Sequence, residues 1–397
     1  MKTIHKTRII ILLALLCPFI STAQAGRPDY AALDREIQKV YDQVGMTALS
    51  IAVVKGDSVI FSDIRGWKVI PNGPEKNKKG IPLKSDDLFD IMSVSKTFVA
   101  TAIMRLVEEK KMRLDDPADK YLDFPLRNPR YPDIPITVKQ LITHTSSINE
   151  NHCWWILDSI NPHKARDFAQ SYSPTRPGEQ YDYVNTNYTV LGAVIEGAAK
   201  KRFSTVIDDI IMRPLGIGGS FDQNSLDKNK FVGLYYVDDK GDTVNNDYVY
   251  HQLWPLRPEN YKLGETVWLN YPACGMKITA RDLARYMRMH MKWGKLDGKR
   301  IISKKSEQLM QKNYVGRHNY GLSYRQYPNL VEGKVLHGQT GGGAGIKTCM
   351  IFEPDDEYGF VILSAGAKVK DRDGFSQIHQ PLIKTLYKYL LKDELER

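Results

Sequence analysis

Two rhythms of apolar and polar positions divide this chain. Between Ala31 and Tyr41 the apolar residues Leu33, Ile37, Val40 and Tyr41 recur at three and four, which predicts an amphipathic first helix. Thr47 to Lys55 is instead rich in Val, Ile and Ala. Gly56-Asp57 then turns it toward a second strand, Ser58 to Gly66. Pro71 to Lys84 is polar and reads as an exposed loop. Helical spacing returns at Phe98, Val99, Ala102, Ile103, Leu106 and Val107, and Leu114-Asp115-Asp116-Pro117 is the expected stop.

The character then changes up to about Asn270. Strand signals are few, prolines frequent, and helical pieces are predicted at Thr137–Thr143, Asn187–Lys200 and Phe203–Met212. Arg281 to Trp293 is helical, with Leu283, Tyr286, Met287 and Met291 on one side. Strands follow around Tyr320–Tyr324, Lys334–His337, Ile346–Glu353 and Tyr358–Ser364, and Phe375 to Leu391 closes the chain as a helix. Strands at both ends with helices between predict an α/β (α+β) domain built from residues 26–113 and 278–397, interrupted by a mostly helical insertion at 114–277.

Composition adds an address. Lys2, Lys6 and Arg8 precede the apolar run Ile9 to Leu16, and Ala23-Gln24-Ala25 offers a small-x-small cleavage site before Gly26. Residues 1–25 therefore read as a secretory signal peptide, and the protein as exported, periplasmic or secreted. A lipid anchor at Cys17 competes, but the bulky Leu16 before it is unfavourable. No later apolar run is long enough to span a bilayer, so stable membrane insertion is not expected. Cleavage removes three positive charges and no negative ones, taking the formal balance from +10 to +7. The remaining basic residues are scattered, which excludes a nucleic-acid stripe. Cys153, Cys274 and Cys349 remain, an odd count without metal-ligand spacing.

Three stretches carry candidate chemistry. In Asp90-Ile91-Met92-Ser93-Val94-Ser95-Lys96-Thr97, Ser93 and Lys96 share a helix face. A serine hydroxyl needs a base to become a nucleophile, and a lysine is a base only where its surroundings favour the neutral amine. Alone, Ser-x-x-Lys reads more readily as a helix N-cap followed by a surface lysine. Tyr181-Asp182-Tyr183-Val184-Asn185 precedes a helix, so Tyr183 and Asn185 can both face a cleft, one relaying a proton and the other holding a carbonyl. A buried tyrosine beside a helix cap accounts for the pair equally well. His337-Gly338-Gln339-Thr340-Gly341-Gly342-Gly343-Ala344-Gly345 lets a ligand lie against backbone N–H groups. The same stretch suits a plain turn. A phosphate loop is disfavoured, because it lacks the Gly-Lys-Ser/Thr lysine and leads into a strand.

In that order, Ser-x-x-Lys, Tyr-x-Asn and a Gly-rich strand resemble the penicillin-recognising serine enzymes, in particular the class C β-lactamase, DD-peptidase and esterase branch. Leu88-Phe89-Asp90-Ile91, Leu114 to Pro117, Leu141 to Ser146, Arg213-Pro214-Leu215-Gly216, Pro272-Ala273-Cys274-Gly275 and Ile351-Phe352-Glu353-Pro354 extend the likeness from about Ala31 to Leu390. The resemblance implies an antiparallel sheet flanked by helices and a mechanism without metal or organic cofactor. Ser93 would be the acylated nucleophile, Lys96 its base, Tyr183 the second proton-transfer group and Asn185 the substrate-orienting amide. Gln339, Thr340, Gly341 and Gly342 would bind substrate, and the N–H groups of Ser93 and Gly342 would form the oxyanion hole.

Three positions depart from the pattern. Ser146-Ser147 stands for Ser-Gly, Cys274 for glycine, and Gln339 for the lysine or histidine before Thr-Gly, with His337 two residues upstream. Losing that cation implies weak β-lactam hydrolysis. The expected activity is that of an exported serine hydrolase cleaving an ester, amide or D-amino-acid peptide bond of a small-molecule or peptide substrate. A true class C-like β-lactamase or DD-carboxypeptidase, and a non-catalytic module binding cell-wall peptides, are the alternatives. Asn149 to Pro177 and Asp222 to Trp268 are the expected specificity segments.

Overall fold

The computed structural model describes residues 28–70, 80–152, 156–237, 243–245, 261–267, 271–343, 345–370 and 374–395. The expected leader at 1–25, most of the Pro71–Lys84 loop, parts of the Asp222–Trp268 segment and Cys153 lie outside them. Seven strands form one antiparallel sheet: β1 (Ala48–Lys55), β2 (Ser58–Val69), β3 (Ile81–Pro82), β4 (Arg325–Pro328), β5 (Val335–Gly343), β6 (Ile346–Glu353) and β7 (Tyr358–Ala365). Their order is β4-β5-β6-β7-β1-β2-β3. The first strand of the chain thus lies beside the last, Ala48 opposite Ala365 and Lys55 opposite Tyr358.

β6 and β7 are buried along their whole length, because helices cover both faces. The period of two sorts β1 between those faces. Leu49, Ile51 and Val53 pack with Leu33 and Ile37 of α1 (Tyr30–Gln43) and Leu382 and Leu386 of the C-terminal helix. Ala48, Ala52 and Val54 face the opposite core, shared with the helical body. Two helices of that body position the site. α2 (Ser95–Glu108) is covered on almost every side, and α3 (Thr186–Ala199) is buried from Thr186 to Glu196. The closing segment is a π turn, Phe375–His379, followed by the helix Gln380–Leu390.

The sequence misplaces several boundaries. β5, expected around Lys334–His337, runs on to Gly343, because its glycines pair with β6. α2 stops at Glu108, ahead of the Asp-Pro stop. Lys110 takes a left-handed φ of 57°, Lys111 N–H donates to Leu106 O at 3.0 Å and Lys110 N–H to Val107 O at 3.0 Å, which is a Schellman end. The strand expected at Tyr320–Tyr324 begins only at Arg325. Ser323 is left-handed, and its hydroxyl donates to Lys96 O at 3.0 Å, so this segment braces α2 instead of extending the sheet.

Candidate active site

Ser93 sits in a single 3-10 turn, Met92–Val94, that feeds into α2. Met92 has a φ of 48°, a strained conformation for a residue with a side chain, and this sharp turn presents Ser93 at the mouth of the helix. Close packing holds the turn. A Cβ on Gly341 would lie 2.4 Å from Ile91 O and 2.9 Å from Met92 Cβ, so only glycine lets β5 approach there. Thr348 of β6 donates its hydroxyl to the same Ile91 carbonyl at 2.8 Å. Below the turn, Asp90 and Lys277 form a buried ion pair at 2.5 Å, joining it to the segment that follows Ala273.

Lys96 is fully buried, and its Nζ has three oxygen neighbours: Asn185 Oδ1 at 2.8 Å, Ser93 Oγ at 3.0 Å and Ala273 O at 3.0 Å. Two of these only accept, whereas the serine hydroxyl both donates and accepts. An ammonium fills all three positions with N–H bonds. A neutral amine keeps two of them and turns its lone pair to Ser93. A proton can therefore pass between Ser93 and Lys96 without disturbing the other partners. The Lys96 ammonium position also lies 5.0 Å from the Tyr183 ring centre.

Asn185 precedes α3 without capping it by its own side chain. The cap comes from Glu150, whose carboxylate accepts the backbone N–H groups of Asn185 and, at 2.9 Å, Thr186. Burial pushes the Glu150 carboxyl up, and those N–H groups and the Lys96 charge oppose the shift. The amide oxygen of Asn185 is thereby held against Lys96.

Ser93, Tyr183, Gln339, Thr340 and Gly342 line one cavity of about 770 Å³. β4 pairs with β5 only as far as Arg325 opposite Gly338, so the cavity opens alongside Gln339 and the residues after it. Gln339 itself is turned inward. Its Nε2 donates to Tyr320 Oη at 3.0 Å and Ser323 O at 3.3 Å, and its Oε1 accepts from Thr340 N–H at 3.0 Å. Both amide hydrogens are thus occupied within the protein. His337 rests near Phe352, outside the cavity lining, and burial lowers it to about 4.

Arg325, which the sequence reading did not single out, supplies a cation to this cavity. Its guanidinium lies 3.5 Å from Tyr181 Oη and 5.9 Å from the Tyr320 ring centre, and it pairs with no carboxylate among the described residues. Arg325 and Glu150 carry no local motif. Each reaches the site through tertiary register, and the strand expected at Tyr320–Tyr324 stops one residue short of Arg325. Cys274 follows Ala273, and burial pushes its thiol up to about 11; Cys274 and Cys349 are free thiols.

Comparison with known proteins follows the same outline. The Beta-lactamase family model matches residues 33–380. Protein flp of Staphylococcus aureus (strain N315) is 21% identical over 336 residues, covering 84% of this chain and 62% of that protein. The D-alanyl-D-alanine-carboxypeptidase/endopeptidase AmpH of Escherichia coli (strain K12) is 22% identical over 223 residues, 53% of this chain and 56% of that protein. The chain thus spans about three fifths of the length of these curated relatives. Among solved structures, the octameric penicillin-binding protein homologue from Pyrococcus abyssi superposes with a TM-score of 0.70 at 23% identity, covering 91% of this chain and 77% of that one. A D-amino acid amidase from Ochrobactrum anthropi SV3, complexed with L-phenylalanine amide, gives 0.65 at 19% identity over 90% and 99%.

Proposed function

This chain belongs to the beta-lactamase family, a fold family of hydrolases that includes D-amino acid amidases and DD-peptidases, and on that premise we propose that it is an exported serine hydrolase working through an acyl-enzyme on Ser93. The observation that carries the reading is the set of contacts around Lys96, which leaves Ser93 as the one neighbour able to give up a proton. In the proposed reaction Ser93 Oγ bonds to the substrate carbonyl carbon as its proton passes to Lys96 Nζ. The N–H groups of Ser93 and Gly342 receive the oxyanion. The carbon–nitrogen or carbon–oxygen bond breaks, and the departing group takes a proton by way of Tyr183. Water then attacks the ester carbonyl, giving the acid and free Ser93.

Arg325 refines the substrate. A guanidinium in the cavity with no carboxylate partner among the described residues favours a substrate that carries a carboxylate, as a terminal D-amino acid or a β-lactam does. This revises the expectation drawn from Gln339, since the missing cation has a replacement on β4. The proposed class is amides or peptides of D-amino acids ending in a carboxylate. Export rests on the pattern of residues 1–25.

The test is intact-protein mass spectrometry after incubation with a fluorophosphonate, a penicillin and a D-Ala-D-Ala peptide. Adducts should map to the peptide containing Ser93 and disappear in Ser93→Ala. A label on another residue, or full turnover by Ser93→Ala, refutes the mechanism.

A further inference from the structure

His144 is absent from the chemistry above, yet it touches the Tyr183 segment at three points. Its backbone oxygen accepts Asp182 N–H at 2.8 Å, its Nδ1 accepts Val184 N–H at 3.2 Å, and its ring lies 4.2 Å, centre to centre, from the Tyr183 ring at 32°. The residues on either side of Tyr183 are therefore fastened to the same histidine. We infer that His144 is the positioning residue for Tyr183, holding the phenol toward Ser93 and Lys96. The inference rests on reading Tyr183 as the second proton-transfer group.

Further contacts define the state His144 must keep. The Asn187 amide also reaches Nδ1, at 3.3 Å, and its oxygen accepts the Ser146 hydroxyl at 2.6 Å, which turns the NH₂ group to the histidine. Two N–H groups directed at Nδ1 require a lone pair there, so the ring is neutral with its proton on Nε2. Burial and the Lys96 and Arg325 charges hold His144 well below the usual imidazole range, in keeping with that assignment. Nε2 is buried without a hydrogen-bond partner among the described residues and lies within the rings of Tyr181, Tyr183, Tyr188 and Tyr320. The backbone is specialised as well. His144 has a φ of 57°, which asparagine tolerates and phenylalanine resists.

These properties separate two substitutions. His144→Asn keeps an acceptor near the Nδ1 position and suits the left-handed backbone. His144→Phe keeps a ring and loses the acceptor. Single-turnover acylation by a neutral chromogenic ester, KM and melting temperature are measured for both, with Tyr183→Phe and the His144→Phe/Tyr183→Phe double variant. Loss of one positioning hydrogen bond predicts about a tenfold slower acylation in His144→Phe, with KM little changed. His144→Asn should stay within about threefold of wild type, and the double variant should be no slower than Tyr183→Phe alone. Wild-type rates in Tyr183→Phe would dismiss the role of Tyr183 and leave the protein a different mechanism. If Tyr183→Phe is slow, the inference is overturned by a wild-type rate in His144→Phe, by losses that multiply in the double variant, or by losses in both His144 variants that follow melting temperature. Should His144→Phe fail to fold, a tenfold loss in a His144→Asn protein of unchanged melting temperature overturns it equally.

Discussion

Replacing Arg325 by methionine should change which substrates are used more than how fast the enzyme works. Methionine preserves the length of the stem that passes Tyr320 and removes the charge. Arg325 is half-buried at the cavity edge, and among the described residues its guanidinium makes a long 3.5 Å hydrogen bond to Tyr181 Oη and a 5.9 Å approach to the Tyr320 ring, so little folding energy depends on it. A hydrogen bond to a charged group is worth about 1.5–3 kcal/mol. Partial exposure favours the lower half of that range, and about 2 kcal/mol corresponds to roughly 30-fold in kcat/KM. The assay compares an N-acyl D-alanyl-D-alanine peptide with its C-terminal amide in wild type and Arg325→Met. The acid should lose roughly 30-fold and the amide less than about threefold. Raising ionic strength should narrow the wild-type preference for the acid. Adding Gln339→Lys to Arg325→Met should restore part of it, because an ammonium would then stand beside the same cavity. Equal losses for acid and amide, or none for either, would refute the assignment of the carboxylate to Arg325.

Lys96→Arg should slow acylation by about 10²–10⁴-fold in stopped-flow assays, since guanidinium stays protonated at any working pH; near wild-type acylation would make Lys96 structural. Glu150→Ala removes the acceptor for two N–H groups at the start of α3 and should cost about 1 kcal/mol in urea unfolding together with several-fold in acylation. Glu150→Gln, which keeps an acceptor, should restore most of both, and equal damage in the two variants would argue against the cap. His337 and His379 are held by burial at about 4 and about 3, below the ordinary 6.5. The unfolded chain therefore binds more protons below pH 6.5, and stability should fall as pH drops from about 6.5 toward 4, by about 1.4 kcal/mol per unit per histidine. Urea midpoints across that range should flatten in His379→Leu, and an unchanged slope would contradict the assignment.

What could be read from the sequence follows the range of the forces involved. α1, β1, β6 and β7 were legible within a residue or two, because their apolar spacing encodes contact with a core on one or both faces. Ser93, Lys96, Tyr183 and Asn185 were legible as an ordered set of short motifs, and the fold brings them together around Lys96 Nζ. The end of α2 was missed because Lys110, a lysine, occupies the left-handed position usually signalled by glycine. The start of β4 was missed because the Ser323 hydroxyl is committed to Lys96 O, 227 positions earlier. Gln339 was assigned by its place in a motif, whereas its amide is directed by Tyr320 and Ser323. Arg325 and Glu150 enter through contacts between distant segments, and a single sequence carries no local mark of these; Ala273 stood within a matching motif, but nothing local tied its carbonyl to Lys96.

The pairing of β1 with β7 also governs how the molecule can be made. The Thr47 hydroxyl bonds to Ala365 O across 318 positions, so β1, an interior strand of the sheet, cannot be flanked on both sides until nearly the whole chain is available. Contacts of such separation are slow to form, because loop-closure entropy must be overcome before they contribute. On the ribosome, β1 and β2 would emerge as a two-stranded ribbon with both outer edges largely unpaired, marginal by itself and open to wrong partners. A chain that crosses a membrane unfolded avoids that waiting period, since both ends are present when folding begins. The same seam makes folding and activity a single event: the strand that carries Gly342 is secured through β6 and β7 to the strand that enters the sheet first. A fragment lacking β7 would lose the surroundings of Ser93 together with the sheet.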